Sequence, residues 1–542
     1  MDIKNIRNIV LFLLIGILLF CAVQNILTPN WTDKTTPYII DGFLSLEEDS
    51  VDVLFLGTSH MLSGVSPMRL YEDTQLHAYS LASEGQPIDC SYYMLNWALQ
   101  YQKPEVVVLD ASCLFRADNT FSAGQSNSFW RYLMDVMPLD AGKLEMAKAY
   151  AETSYGDSFL SVLFPIIKYH SRWNELSSGD FSESNVTSYY SAGLFSVSTV
   201  NGTSDSLENI VSTANYYEER DSGYRISLQN GIVEQVTIDG YLYESTISDY
   251  NLAYFNKICA LCDENDIELL LTKIPVLQYP QYYNGAWTPK RSSLALELAQ
   301  ANGINFIDLL YDAPTEVDFQ TDTMDHGMHL NLRGAEKVAH FLGTYLQETY
   351  DLQGESSAQY DQMLAQYQKV RQIALLQSET SFSAYLNMLL EHKDTWQIYI
   401  ASSDEFSANL TEEDYQKFDK LGLQLIREGG WRDSYIAVIS NGVVEYEALS
   451  DRKQSYHTSA GHMGVTLSSS GWYAVSDSSI IINNADYAAN GGGLCFVIYD
   501  TETTAVLDSV IFNTSLDSKP ATRDWDLVNA CFRYYESIIC FE

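Results

Sequence analysis

A chain of 542 residues exceeds what one compact core accommodates, so two or three domains are expected. Hydrophobic residues at 46% and charged residues at 19% describe a globular body rather than a disordered one. A formal net charge of −40 excludes a nucleic-acid partner, whose phosphates would be repelled, and argues equally against electrostatic docking on anionic lipid.

The first element is apolar. Ile9 to Val23 is an unbroken hydrophobic run, extended by Ile26 and Leu27, and comes close to the roughly 20 residues a helix needs to cross the hydrocarbon. Lys4 and Arg7 precede it, so the positive-inside rule puts the N-terminus in the cytoplasm and everything after Thr28 outside. No small-x-small cleavage site follows, and Phe20 before Cys21 is a poor lipoprotein context. Residues 1–30 are therefore expected to be an uncleaved single-pass anchor rather than a removed signal peptide. Residues 31–50 read as a polar stalk containing Pro37.

Short apolar runs then alternate with helical stretches. Val51–Leu56 predicts a strand ending at Gly57, Tyr92–Gln100 a helix, and Val106–Leu109 a strand ending at Asp110. Ile267–Leu271 and Ile304–Ile307 are further strands, ending at Thr272-Lys273 and at Asp308, with a helix around Ser292–Asn302 between them. Leu332–Tyr345 is a strongly amphipathic helix. Such alternation implies a parallel sheet covered on both faces, with ligands beyond the carboxyl ends of its strands. The alternation fails over 116–250, which reads as an insertion above the strand ends, a lid or acceptor surface that includes Tyr169-His170-Ser171-Arg172-Trp173. A Gln-rich helical connector covers 351–379, and 380–542 is a separate mixed α/β domain with strands at Gln397–Ala401, Tyr435–Ile439, Ser479–Ile482 and Cys495–Tyr499.

Cys259 and Cys262 form a Cys-x-x-Cys inside the helical pattern Leu252–Glu264, without a second pair or histidines at ligand spacing. They read as buried core thiols, and no metal is expected. Cys531 and Cys540 are candidates for pairing outside the cell.

Two distant pieces carry chemistry. Thr58-Ser59-His60 follows a buried strand directly, which can raise the Ser59 hydroxyl above the sheet and turn its backbone N–H toward a developing oxyanion. The plain alternative is a helix-capping serine. The second piece, Asp322-Thr323-Met324-Asp325-His326-Gly327-Met328-His329-Leu330-Asn331, precedes the amphipathic helix. There a neutral His329 can take the Ser59 proton while Asp325 steadies the imidazolium. The plain alternative is a polar loop with capping residues. His60 beside Ser59 and Lys273 at a strand end are weaker candidates for substrate contact, packing and a surface lysine being the defaults.

These pieces resemble the SGNH (GDSL-type) hydrolase superfamily over about residues 50–350. Gly57-Thr58-Ser59-His60 looks like its first block, residues 80–87 (Ser-Leu-Ala-Ser-Glu-Gly-Gln-Pro) like its second, and Asp325 to Asn331 like its last. The resemblance implies a three-layer α/β/α domain with Ser59 as nucleophile, His329 as general base, Asp325 as its partner, and the N–H groups of Ser59 and Gly85 as oxyanion hole. It is similar in particular to membrane-anchored polysaccharide O-acetylation proteins. Two departures stand out. The superfamily spaces the pair as Asp-x-x-His, whereas Asp325 lies four residues before His329, so Asp322 and His326 are alternative orienter and base. No Gly-x-Asn-Asp block is present, and Ser112 is a stand-in for its asparagine donor.

Residues 402–435 and 480–512 resemble the interleukin-like (ILEI/PANDER, GG-type) domain, with the order of its two sets exchanged, which implies a carbohydrate-binding module. Together the resemblances imply an extracytoplasmic O-acyltransferase or esterase acting through an acyl-serine on O-acetyl groups of an envelope or exported polysaccharide. Such an enzyme needs no cofactor, and a membrane-bound acyl donor protein is the implied partner. The alternative is a non-catalytic glycan-binding or assembly protein with a degenerate SGNH domain.

Overall fold

The computed structural model describes residues 3–29, 36–115, 126–152, 157–177, 180, 224–229, 232–237, 246–276, 287, 289–319, 321–323, 327, 329–460, 463–470 and 478–541. The chain divides into two compact units, Met1–Leu364 and Ala365–Glu542.

The first unit begins with one helix, Ile3–Leu27, whose Asn5–Leu27 portion is long and apolar enough to cross a membrane and is exposed over most of its length, with Leu27 buried at its end. A signal sequence meets the same criterion of length and composition. A second helix, Thr36–Leu44, replaces much of the expected polar stalk. Its Ile39, Ile40 and Phe43 are buried, and the Tyr79 hydroxyl donates to the Ile39 carbonyl at 2.7 Å. Apolar residues at i, i+1 and i+4 form one helical face, so this segment folds onto the unit instead of extending from it.

The strands run β1 (Val53–Leu56), β2 (Ala78–Ser80), β3 (Val106–Asp110), a separate hairpin of β4 (Tyr224–Gln229) and β5 (Ile232–Thr237), then β6 (Glu268–Lys273) and β7 (Asn305–Asp308). One five-stranded sheet has the order β2-β1-β3-β6-β7, and every pairing in it is parallel. β1 and β3 are buried along their whole length, as strands covered on both faces must be. The chain leaves β1 for β2 on one side and then crosses to β3 on the other. That reversal opens a crevice above the carboxyl ends of β1 and β3, the place where open α/β sheets bind ligands. The helices Asp249–Glu264 and Pro289–Ala301 precede β6 and β7, and Leu332–Tyr350 follows the sheet. Cys259 and Cys262 are buried in the first of these, burial pushing their thiols up to about 11 and about 12. Among the described parts of the 116–250 segment are helices Ser126–Val136, Ala141–Glu152, Phe159–Leu163 and Ile166–Tyr169.

The second unit holds the helix that ends at Ser378 and two antiparallel sheets. Its strands are β8 (Trp396–Ser403), β9 (Ser434–Ser440), β10 (Val443–Ser450), β11 (Gln454–Ala460), β12 (Met463–Ser469), β13 (Ser479–Ile482), β14 (Ala485–Asp486), β15 (Gly493–Asp500), β16 (Ala505–Phe512) and β17 (Ala521–Thr522). The larger sheet is ordered β10-β9-β8-β15-β16-β17 and the smaller β11-β12-β13-β14. Asn441 and Gly442 both have positive φ, the requirement of the two-residue turn that joins β9 to β10. β15 alternates: Cys495, Val497 and Tyr499 enter a core shared with Val465, Leu467 and Ile480 of the smaller sheet, while Phe496 packs on Phe382 of the Phe382–His392 helix. Cys531 is a free thiol, and it shares the helix Trp525–Phe541 with Cys540. Nine residues of α-helix separate the two by about 13 Å, twice the span of a disulfide, so the proposed pairing is corrected.

Candidate active site

The site is built where β1 ends. Gly57 has φ +151, and a Cβ placed on it would lie 2.4 Å from Asp110 Cβ, so only glycine lets the end of β1 pass this close to the end of β3. Thr58 caps the short helix Ser59–Gly64, its hydroxyl oxygen accepting from the His60 N–H at 3.3 Å. The same hydroxyl donates to Asp110 Oδ2 at 2.6 Å, while Asp110 Oδ1 accepts from the Ser112 N–H at 2.9 Å. The turn carrying Ser59 is thus tied to the neighbouring strand on its buried side, and Ser59 itself is left half-buried at the surface.

His329 arrives from the other end of the unit. Its loop is closed at the stem by a bridge between Thr323 and Leu330. Asn331 caps the Leu332–Tyr350 helix by accepting from the Gly334 N–H at 3.2 Å, and its amide donates back to the carbonyls of Thr321 at 2.8 Å and Thr323 at 3.4 Å. Held this way, the half-buried imidazole brings Nε2 to 2.9 Å from Ser59 Oγ across 270 residues of chain. That distance lies in the range from which a base can take a hydroxyl proton.

The other candidates fall out differently. Asp322 is buried, and its carboxylate accepts from the Asp318 N–H at 2.7 Å, the Thr321 hydroxyl at 3.1 Å and the Lys337 ammonium at 2.7 Å. It clasps the loop to the last helix. Asp325 and His326 lie outside the described residues. Gly85, with φ +68, sits in the turn after β2, and the Ser83 N–H donates to the Gly57 carbonyl at 3.1 Å, so this turn runs beside the serine. Ser83 and Gln86 lock it further through a 2.6 Å hydrogen bond. Ser112 stands two residues beyond the end of β3.

His60 and Lys273 were candidates for substrate contact, and both are corrected. His60 is buried with its ring centroid 5.2 Å from that of His329, a packing support for the imidazole. Lys273 is fully buried rather than a surface lysine. Its ammonium donates to the Ile274 carbonyl at 2.7 Å. Burial pulls its amine down to about 8, against the opposing influence of Asp110 and Asp308. Asp308 in turn accepts from Trp287 Nε1 at 2.7 Å and the Ser292 hydroxyl at 2.6 Å. In the sequence Asp110, Lys273 and Asp308 are three separate strand-end residues. That they form one buried polar layer under the crevice follows from strand order, which local pattern does not carry.

The fold and the geometry together define an α/β protein with a serine–histidine pair at the switch point of a parallel sheet. No protein-family model and no curated protein matches the chain. Among solved structures, a candidate acylhydrolase from Bacteroides fragilis NCTC 9343 is similar at 11% identity and TM-score 0.27, over 59% of this chain and 99% of its own. A GDSL-like lipase from Bacteroides thetaiotaomicron VPI-5482 is similar at 11% identity and TM-score 0.26, over 57% and 95%. At such scores these likenesses decide nothing about the chemistry, which rests on the side chains.

Proposed function

We propose that the first unit is a serine-dependent acyl-ester enzyme of SGNH type, held outside the membrane by its N-terminal helix. The observation that carries this reading is the 2.9 Å contact between Ser59 Oγ and His329 Nε2 at the mouth of the crevice. His329 Nε2 takes the Ser59 proton as Oγ attacks the acyl carbonyl carbon. The carbonyl oxygen becomes the oxyanion, received by the N–H groups of Ser59 and Gly85, with Ser112 as a further donor. Collapse breaks the ester bond, and His329 returns the proton to the departing alcohol, leaving an acyl-serine. A sugar hydroxyl or water, deprotonated by the same imidazole, then releases the acyl group. Asp325 is the proposed partner of the imidazolium. Acetyl on an envelope or exported polysaccharide is the proposed substrate class, with transfer favoured over hydrolysis by the anchored architecture. The second unit is read as a carbohydrate-binding module of the interleukin-like type.

The missing Gly-x-Asn-Asp block favours a second reading, a glycan-binding protein whose first unit no longer turns over. One missing oxyanion donor costs about 3 kcal/mol of transition-state stabilisation. A fluorophosphonate probe separates the two readings. Labelling of the full chain that disappears in Ser59→Ala is expected of the enzyme, whereas folded wild-type protein that never labels supports the binder. Supplying an acetyl ester with and without oligosaccharide then distinguishes transfer from hydrolysis.

A further inference from the structure

The segment from Phe159 to Trp173 has an apolar face that the chemistry does not use. Phe159 is 36% exposed, Leu160 56%, Ile167 47% and Trp173 72%, while Leu163 and Phe164 are half-buried beside them. Scattered single apolar residues at a surface need no explanation, but two short helices, Phe159–Leu163 and Ile166–Tyr169, here turn such residues outward together. The inward side is firmly fixed. Tyr169 is buried and donates to Asp135 at 2.7 Å, and Ser158 caps the first helix by accepting from the Ser161 N–H at 3.3 Å. The outward side is therefore presented by a folded support.

Its position says what covers it. The Phe164 ring meets Phe20 of the N-terminal apolar helix edge-on at 5.9 Å, and the Arg172 guanidinium donates to the carbonyl of Leu27, the last residue of that helix, at 2.7 Å. Seven residues separate Phe20 from Leu27, about 10 Å along the helix axis. The 23-residue helix Asn5–Leu27 spans about 34 Å against a hydrocarbon thickness of about 30 Å. Phe164 is thus level with the outer part of the hydrocarbon, and Arg172 with its edge. This is the depth, about 5–10 Å, at which interfacial helices lie, and an exposed tryptophan beside a basic residue is the side-chain pair that favours it.

We propose that Phe159–Trp173 is a monotopic lipid-inserting element which seats the first unit on the outer leaflet beside its own anchor; this rests on the N-terminal helix spanning the membrane. Insertion is apolar, so it needs no anionic lipid and is compatible with the net charge of −40. The consequence for function is orientation. A unit held by one helix swivels, whereas a second contact fixes one side of the body against the bilayer.

The test uses the full chain in phosphatidylcholine vesicles, with Cys21→Ser as parent to set the labelling background. Leu160→Cys, Ile167→Cys, Leu14→Cys and the exposed Leu296→Cys each carry an environment-sensitive fluorophore. The expected result is quenching of positions 160 and 167 by a nitroxide on the upper acyl chain, with position 296 quenched only by aqueous iodide. Fluorophores at 160 and 167 that answer only to iodide, while position 14 is quenched from within the lipid, overturn the proposal and leave the anchor standing. That result makes the face available to a protein partner instead. Position 14 quenched by iodide overturns the anchor reading itself. Brominated lipid gives a second readout without labelling: wild type should lose more tryptophan emission than Trp173→Phe, and equal losses contradict the proposal.

Discussion

On one side of the Ser59–His329 contact the chain is fixed by a buried parallel sheet, and on the other by a handful of polar ties. Ser59 leaves a strand whose four residues are all buried, through a glycine that no other residue replaces, onto a hydroxyl anchored to the next strand. His329 stands on a loop whose stem depends on the Asn331 amide, the Thr323–Leu330 bridge and the Asp322–Lys337 pair. A sheet resists displacement because moving one strand disturbs every neighbour. A loop held by individual hydrogen bonds yields one bond at a time, each worth about 1 kcal/mol. The serine side should therefore tolerate little change, and the histidine side should lose function in graded steps.

The largest effects belong to the pair itself. Ser59→Ala and His329→Ala should each lower acyl-ester turnover by about 10⁴-fold or more, and the double variant should be no worse than either single one. Additive losses in kcat would mean that the two groups do not act as a unit. Next comes the buried tie beneath the serine. Thr58→Val removes the donor to Asp110 Oδ2 while keeping the shape, and is expected to lower kcat by about 10–100-fold with KM little changed. Thr58→Ser should restore most of it, and a Thr58→Val enzyme with normal kcat would show that the sheet alone positions the nucleophile.

The polar layer makes a pH-dependent contribution to stability. Lys273 is held at about 8 against an ordinary 10.5, so between these values the unfolded chain binds more protons than the folded one. Stability then rises with pH through that window, and the full penalty of the buried charge is present below about 8. Buried tyrosines such as Tyr360, raised by burial, act oppositely at higher pH, because the unfolded phenols ionise first. Comparison with Lys273→Met isolates the lysine. The wild type should gain on the variant in urea midpoint between about pH 8 and about pH 10, and parallel curves would contradict the assignment. The smallest effect is expected on the loop side. Lys337→Met loosens one half-exposed clasp on Asp322, and should cost about 1 kcal/mol with a few-fold loss of kcat. An effect as large as that of Thr58→Val would erase the contrast between the two sides.

The same contrast explains what could be read from sequence. The ends of β1, β3, β6 and β7 fall within about two residues of their apolar runs, since buried parallel strands are local in composition. β2 has only Ala78–Ser80 and leaves no such trace. Ile39, Ile40 and Phe43 carried a helical spacing, masked by Pro37 and Asp41 around them. Ser59 and His329 were legible as residues at element ends. The duties of Asp110 and Asp322 were not, because they depend on which strand lies next to β1 and on a lysine 15 residues downstream. Lys273 looked like a surface residue for the same reason: its burial comes from Trp287 and the strand ends around it.

Everything in the functional reading depends on an alcohol that becomes acylated. Incubating the full chain with an activated acetyl ester, quenching in acid and mapping the adduct by peptide mass spectrometry reads this directly. One acetyl group on the peptide containing Ser59, absent from Ser59→Ala and strongly reduced in His329→Ala, is the predicted result. Acetylation scattered over lysines and unchanged in both variants would contradict it.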